Sequence, residues 1–380
     1  MNTKTTHISP WRLLGKTFSS IIFLCSLVAA LLLIVSAYSD GFSPAKHSAF
    51  PSYLAFLFPL FWIINFCFLT YWLIRRKWRI IVSIIAILLS WPSFNAFFPI
   101  HFKKEIPENT IKFLTYNVQH FDLYAPHTEK QANPIIQYIL DQDADIVCLQ
   151  EYAYLYKDGK ADIHDDFKEK YPYNRSEDVI NVNNYKYNGL ACFSKYPIID
   201  AWRIPYFSKY NGSAVFKIDV NGKIVTIVNN HLETNQLTEK DKVEYIDALK
   251  DIEKGTGVKT NVVQIADIAR KRLGVAFKIR AEQAELVADE INRARDYVIA
   301  CGDFNDPPNS YTRHVIKGDK LRDAFADTGF GMSHTYNQNK FYFRIDHILY
   351  SPNLIPYNCQ VDNSVKYSDH YPMTCYFKIK

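Results

Sequence analysis

The chain has 380 residues, 48% of them hydrophobic, 15% aromatic and 22% charged, with 13 Gly, 17 Pro and a formal net charge of +5. This composition excludes a disordered, collagen-like or low-complexity chain, and the length accommodates two or three structural units of about 100–200 residues each. A basic balance alone speaks to non-specific association, so the position of the charge decides its meaning.

Residues 1–108 hold ten Lys and Arg against three acids, which leaves 34 basic and 36 acidic residues, a net of −2, in 109–380. The basic excess therefore belongs to the N-terminal quarter. Three windows there, Thr17–Ser39, Ser48–Ile74 and Ile80–Ile100, carry no charge at all. Each reaches the about 20 residues needed to cross a hydrocarbon core. A helical hairpin buried in a soluble domain would need a polar face that these windows lack. They predict three transmembrane helices over about residues 17–39, 50–74 and 80–100, in an anchor of residues 1–105. Pro59 and Asn65 in the second and Pro92 in the third predict kinks.

Lys4, Arg12 and Lys16 precede the first window, and Arg75, Arg76, Lys77 and Arg79 follow the second, whereas the first loop carries only Lys46. The positive-inside rule then places the N-terminus and the second loop in the cytoplasm and everything after residue 105 on the far side. Val35-Ser36-Ala37 also resembles a cleavage site, and removal of the first window would leave the far-side placement unchanged. The expectation is a multi-pass integral membrane protein with an extracytoplasmic domain, periplasmic if the source is Gram-negative.

From Pro107 the unbroken apolar runs give way to alternating patterns, which predict one α/β or α+β domain over 106–380. Residues 111–119 alternate as a half-buried strand, 134–142 have helical spacing, and 145–151 and 189–198 return to strand. Residues 212–232 read as a hairpin turning at Asn221-Gly222 in a type I′ turn. Residues 238–295 are helical and charged with a break at Gly255 and Gly257, and they carry no motif. Strands follow at 296–305, 343–351 and 370–379. Of seven cysteines, Cys25 and Cys67 fall in apolar windows, and the others form no CxxC and no metal-ligand spacing. Core thiols are the default for them, and no disulfide pair is named by the sequence.

Unlike polar residues gather at the margins of these strands: Asn117, Gln150-Glu151, Asn230-His231, Asp303 with Asn305, Asp346-His347 and Asp369-His370. Strand margins are where side chains from distant segments converge. Singly, each is an ordinary cap, turn or surface residue. Together, in the strings TYNVQ (115–119), LQE (149–151), FSKYPI (193–198), NNHLET (229–234), GDFND (302–306), RIDHILY (344–350) and SDHYPM (368–373), they resemble the endonuclease/exonuclease/phosphatase superfamily. The resemblance spans about residues 110–380 and leaves the apolar windows unexplained.

The resemblance implies a deoxyribonuclease I-like fold, a two-sheet α/β sandwich flanked by helices, and a magnesium-dependent phosphoesterase. Residue by residue, Glu151 matches the metal-ligand glutamate, and Asn117 and Asp369 match positions beside the same ion. Asp303 matches the acid that orients or deprotonates the attacking water, and Asn305 a phosphate-binding amide. His370 and His231 match the two histidines at the scissile phosphate, with Asp346 holding the His370 imidazole. Oxygen-only ligands suit Mg2+ or Mn2+ rather than Zn2+. His347, on the opposite face of an extended strand from Asp346, reads as structural; His334 and Asn188 remain outside the assigned set.

Gln119 stands where exonuclease III-type relatives carry an acid, and NNHLET replaces their Tyr-x-x-Asn segment. The tryptophan and the Trp-Cys-Asp-Arg segment of the inositol 5-phosphatases are absent. These departures favour the arrangement with two histidines. The near-neutral domain has no Lys/Arg run beyond Arg270-Lys271-Arg272, so the strong footprint of nucleic-acid binding is missing from the sequence, while a phospholipid diester near the bilayer suits an anchored enzyme. Nuclease and phospholipid or sphingomyelin-type phosphodiesterase stay as alternatives. A non-catalytic scaffold is the alternative of another class, although all eight mapped positions carry reactive residue types.

Overall fold

The computed structural model describes residues 10–122, 133–157, 160–161, 167–182, 186–235, 238–295, 297–338 and 342–380, so Lys4 lies outside the described residues. In chain order the helices of the N-terminal part are α1 (Pro10–Ala37), α2 (Phe50–Phe56), α3 (Phe58–Ile74), α4 (Ile80–Leu89) and α5 (Trp91–Phe97). Leu14–Ala37 is long and apolar enough on its own to cross a membrane. The other two windows are broken pairs, α2 with α3 bent by 68° and α4 with α5 bent by 61°, so the spans number one, or up to three if each pair counts as one.

The expected kinks fall at proline. Pro59 and Pro92 occupy the first turns of α3 and α5, where a missing N–H costs nothing, whereas continuation of the preceding helix through a proline ring is blocked. Asn65 is buried and donates to the carbonyls of Ala29 and Phe61, which ties α3 to α1. Ala30, Leu33, Leu54, Phe58, Phe61 and Ala86 form the small core of this bundle.

The rest of the chain supplies strands β1 (Ile111–Asn117), β2 (Ile146–Lys157), β3 (Lys160–Ala161), β4 (Tyr173–Val182), β5 (Lys186–Ser194), β6 (Ile198–Arg203), β7 (Gly212–Val220) and β8 (Lys223–His231). They continue with β9 (Tyr297–Asp303), β10 (Arg322–Asp323), β11 (Asp346–Tyr350), β12 (Leu354–Val361) and β13 (Met373–Ile379). One sheet has the order β12-β13-β1-β2-β5-β4 with β3 beside β2, and the other β10-β11-β9-β8-β7-β6. Both are mixed: β1 runs parallel to β2 and antiparallel to β13, and β8 runs parallel to β9 and antiparallel to β7.

The inner faces meet in a core of Phe113, Ile146, Cys148, Cys192, Phe216, Ile227, Ile299, Cys301, Ile348 and Phe377. The outer face of the first sheet packs on α6 (Pro134–Gln142) through Leu114, Val147 and Ile139. The outer face of the second packs on the long helix Val258–Arg293 through Val228, Val298, Ala284 and Val287. This is the expected sandwich with helices outside, and each fully buried apolar side chain in it contributes about 1.5–3 kcal/mol. All seven cysteines are free.

The expected hairpin is present, with Asn221 at φ 54° and Gly222 at φ 84°, as a type I′ turn requires. Strands β4, β6 and β12, and the short β3 and β10, are additions to the sequence reading. The strands expected at 343–351 and 370–379 begin later, at Asp346 and Met373, because the residues before them form the walls of the site.

The N-terminal helices rest against the sandwich. Asn309 Nδ2 donates to Ser36 O (2.8 Å), Ser39 Oγ donates to Asn309 O (3.0 Å), and Lys46 pairs with Glu285 (2.7 Å). Phe56 packs edge-on against Phe343 at 5.0 Å, and Arg344 Nη2 donates to Ala96 O (2.5 Å). Asn309 and Arg344 lie within a few residues of Asn305 and Asp346.

Candidate active site

Sheet register brings the site together. In the second sheet His231 is paired with Asp303 across β8 and β9, and Asp303 with Asp346 across β9 and β11. Three reactive side chains therefore stand in one row at one end of the sheet. In the first sheet Asn117 ends β1 opposite Gln150, so Glu151 lies one step beyond, and His370 sits just before β13, the other neighbour of β1. Glu151 has φ 50° at a register shift between Leu149 and Tyr152, a bulge that turns its carboxylate out of the strand alternation.

The shortest contact joins His370 Nδ1 to Asp346 Oδ2 at 2.8 Å, and His370 Nε2 lies 3.6 Å from Asp303 Oδ2. His370 is thus flanked by two carboxylates, with only 4% of its surface exposed. Asp346 is held in turn: its N–H and that of Ile345 both donate to Thr335 Oγ1 at 3.0 Å. On the other side His231 Nε2 is 3.7 Å from Glu151 Oε1 and 3.8 Å from Asp303 Oδ2, and it is buried without a hydrogen-bond partner among the described residues. A buried donor with no acceptor is costly unless something completes it. A phosphoryl oxygen would do so.

Asn117 Nδ2 bridges Glu151 Oε1 and Asp303 Oδ2, each at 3.3 Å, while its Oδ1 accepts from Gln119 N–H at 3.1 Å. In this arrangement Asn117 fits as a donor between two acids, and its oxygen is engaged elsewhere. Asn305, at φ 53°, donates its backbone N–H to Asp303 Oδ1 (2.8 Å) and its amide to Leu232 O (3.0 Å), which locks the Asp303 rotamer. Asp369 is half-buried at the rim, its N–H donating to Gln119 Oε1 at 3.2 Å.

Burial pushes Asp303 up to about 8, with His370 opposing and Asp346 and Glu151 adding to the rise. Burial works against charge on His370, yet Asp346 and Asp303 on either side raise it well above the usual imidazole range. Burial also raises Glu151, but His231, His120 and His370 together bring it below the ordinary range. His231 is lowered, chiefly by burial, against the pull of Glu151. Their surroundings thus push the two imidazoles in opposite directions, His370 toward the charged form and His231 toward the neutral one.

Asp303, Asp346 and His370 offer ligand atoms within 4.8 Å of one another, a set with the geometry to hold a metal ion. Both ring nitrogens of His370 already face carboxylates, so that trio is better satisfied as a proton-holding chain. Glu151, whose charge also raises Asp369, offers with it carboxylate oxygens of the type that a hard divalent cation takes.

Several participants carry no sequence signal. His120 lies 3.5 Å from Glu151 Oε2, brought there by three consecutive left-handed residues, Gln119, His120 and Phe121 at φ 44°, 56° and 57°. Left-handed backbone costs about 1–2 kcal/mol per residue, and the fully buried Phe121 ring, packed on Tyr152, holds the turn. Ser368 Oγ donates to Asn117 O, and Tyr336 stacks edge-on with His370 at 5.3 Å. His347 is structural, as expected: its Nε2 faces Asp306 O at 2.9 Å, its Nδ1 faces Arg344, and burial with two neighbouring arginines lowers it to about 3. His334 lies against the Tyr371 ring, 5.4 Å away; the Asn188 side chain falls outside the described residues. Gln150, Asn229 and Asn230 turn into the core, where Gln150 Nε2 donates to Asn229 Oδ1 at 2.6 Å.

Residues 114–370 match the Endonuclease/Exonuclease/phosphatase family. The chain belongs to that family. Its members are metal-dependent phosphoester hydrolases, and a phosphoester hydrolase is what this chain is. Residues 19–97 match a second family, described as a domain of unknown function (DUF8431). No curated protein matches the chain.

Similar solved structures include D. rerio TDP2 complexed with single strand DNA product, at 15% identity and TM-score 0.48 over 71% of this chain and 100% of that one. A family protein from Leptotrichia buccalis matches at 14% and 0.48 over 71% and 100%. The human Nocturnin catalytic domain with bound sulfate anion matches at 16% and 0.48 over 71% and 95%.

Proposed function

We propose that this chain is a membrane-anchored hydrolase of phosphodiesters, with residues 1–105 as anchor and 106–380 as an extracytoplasmic catalytic domain. The observation that carries the catalytic part is the chain Asp346, His370, Asp303, closed by His231 and Glu151. Asp303 is placed to orient and deprotonate the attacking water. His370, kept charged and in one ring orientation by Asp346, donates to the phosphoryl oxygens as negative charge develops, and His231 supplies the second donor. Asn305 and Asn117 fix Asp303.

Glu151, with Asp369 beside it, is the place for Mg2+, or Mn2+, which when bound neutralises charge on the phosphoryl group. The anchor reading is supported by Leu14–Ala37, by the two bent apolar pairs and by the basic residues flanking them. Full-length protein in nanodiscs should hydrolyse bis-p-nitrophenyl phosphate with Mg2+ and lose that activity in EDTA; activity indifferent to EDTA would overturn the reading. Phospholipid vesicles and plasmid DNA in the same assay separate the two substrate classes.

A further inference from the structure

The segment after α5 carries exposed apolar side chains where a soluble domain would place polar ones. Ile100 is 56% exposed and Phe102 76%, and beside them Phe330 is 61% and Met332 59% exposed. These four are one surface. Ile100 and Phe330 form a backbone bridge, Gly331 N–H donates to Pro99 O at 2.7 Å, and the rings of Phe102 and Phe330 are 5.5 Å apart. Gly331, at φ 75°, makes the turn that presents Phe330 and Met332. Contiguous exposed apolar patches of this kind mark a contact surface.

Position names the occupant. α5 ends at Phe97, so at no more than about 3.5 Å per residue Ile100 and Phe102 stay within the headgroup layer that the third apolar pair reaches. A cavity of about 220 Å³ opens beside the patch, lined by Lys103, Ser333 and Gln360 among others. His101 Nε2 there faces Ala326 O, and Asn358 is occupied by the backbone of Lys104. Lys103 makes no ion pair among the described residues. Aromatic side chains with an unpaired lysine at the end of a span are the composition of a lipid headgroup contact.

We propose that Ile100, Phe102, Phe330 and Met332 seat in the bilayer's headgroup layer, and that the adjoining cavity takes an anionic phospholipid headgroup with Lys103 as its counter-charge. The inference rests on the anchor reading above. Its consequence for catalysis runs along the chain. The segment that begins at Phe330 continues to Thr335, whose hydroxyl holds the Asp346 backbone, and to Tyr336, which forms a bridge with His370. Lipid contact at one end thus fixes the catalytic wall at the other, and the cleft is held beside the membrane surface.

The test uses the full chain in phosphatidylcholine vesicles, with Phe330→Trp read as the emission difference from the parent. Acyl-chain bromine near the carbonyl should quench this difference. Brominated phosphatidylglycerol should quench about fivefold more per lipid, the enrichment one lysine gives at a charged surface. Lys103→Glu should abolish the preference and leave quenching by phosphatidylcholine. Absence of quenching at position 330 overturns the proposal; equal quenching by both lipids, or a preference that survives Lys103→Glu, overturns the headgroup assignment. Leu27→Trp in α1 reads the anchor separately: quenching there without quenching at 330 leaves the anchor standing alone, and no quenching at either removes both.

Discussion

His370 meets a carboxylate at each ring nitrogen, an arrangement that keeps a proton on the ring, and under the proposed mechanism its Nε2 faces the phosphoryl oxygen. Glu151 contributes differently, as the acid at a bulge whose pKa the surrounding histidines bring below the ordinary range. Replacing it with Gln removes the charge at nearly constant shape. Glu151→Gln should raise the Mg2+ concentration needed for half-maximal activity by about tenfold or more, with part of the rate recovered at high metal; an unchanged metal titration would remove Glu151 from the ion site. All eight residues named from the motifs lie at this end of the sandwich, because strand margins are visible as the places where apolar alternation stops. His120 and Thr335 were not legible, nor was the contact that Ser368 makes. Their roles come from a left-handed turn and from backbone contacts between segments far apart in sequence, neither of which leaves a pattern in residue type.

At the scale of elements, the central strands and the Asn221-Gly222 hairpin were readable from alternation and turn chemistry, whereas β4 and β12 were not. Both are edge strands of the first sheet. The polar run YNRSEDVINV needs no apolar alternation, and Pro356 with a register shift breaks the pattern of β12. The apolar windows were legible, but only the first forms one helix long and apolar enough to cross a membrane; Pro59 and Pro92 divide the other two into bent pairs.

Between the anchor and the sandwich stands a buried cluster in which Asp323 accepts from Arg313 at 2.6 Å and lies 3.7 Å from Arg344. Burial raises Asp323, but the two arginines outweigh it and hold the carboxyl far below its usual range. A depressed folded-state value stabilises above the unfolded value of about 3.9, and that contribution fades as pH falls through and below it. Arg344→Met should destabilise by about 3–5 kcal/mol at neutral pH by leaving charge partly unpaired, and should flatten the loss of stability between about pH 5 and 3. Urea unfolding across that range measures both effects, and parallel pH profiles for variant and parent would refute the coupling.

For the molecule as a whole, the division of charge at residue 108 is the informative feature. The basic residues flank the apolar windows and the rest of the chain is near neutral, and under the proposed anchor this basic balance would set the orientation of the spans. A reporter enzyme fused after Lys380 should be active in its extracytoplasmic form and silent in its cytoplasmic form; the reverse pattern would invert the orientation. The packing of Asn309, Phe343 and Arg344 against the N-terminal helices was invisible in the sequence, since the contacts join segments some 250 residues apart. It makes the N-terminal helices part of the frame that carries GDFND and RIDH. The most direct test of the account is His370→Ala in the full-length protein, assayed on bis-p-nitrophenyl phosphate with Mg2+. Turnover should fall by about a thousandfold or more with folding intact by circular dichroism, whereas turnover within about twofold of the parent would contradict the mechanism at its centre.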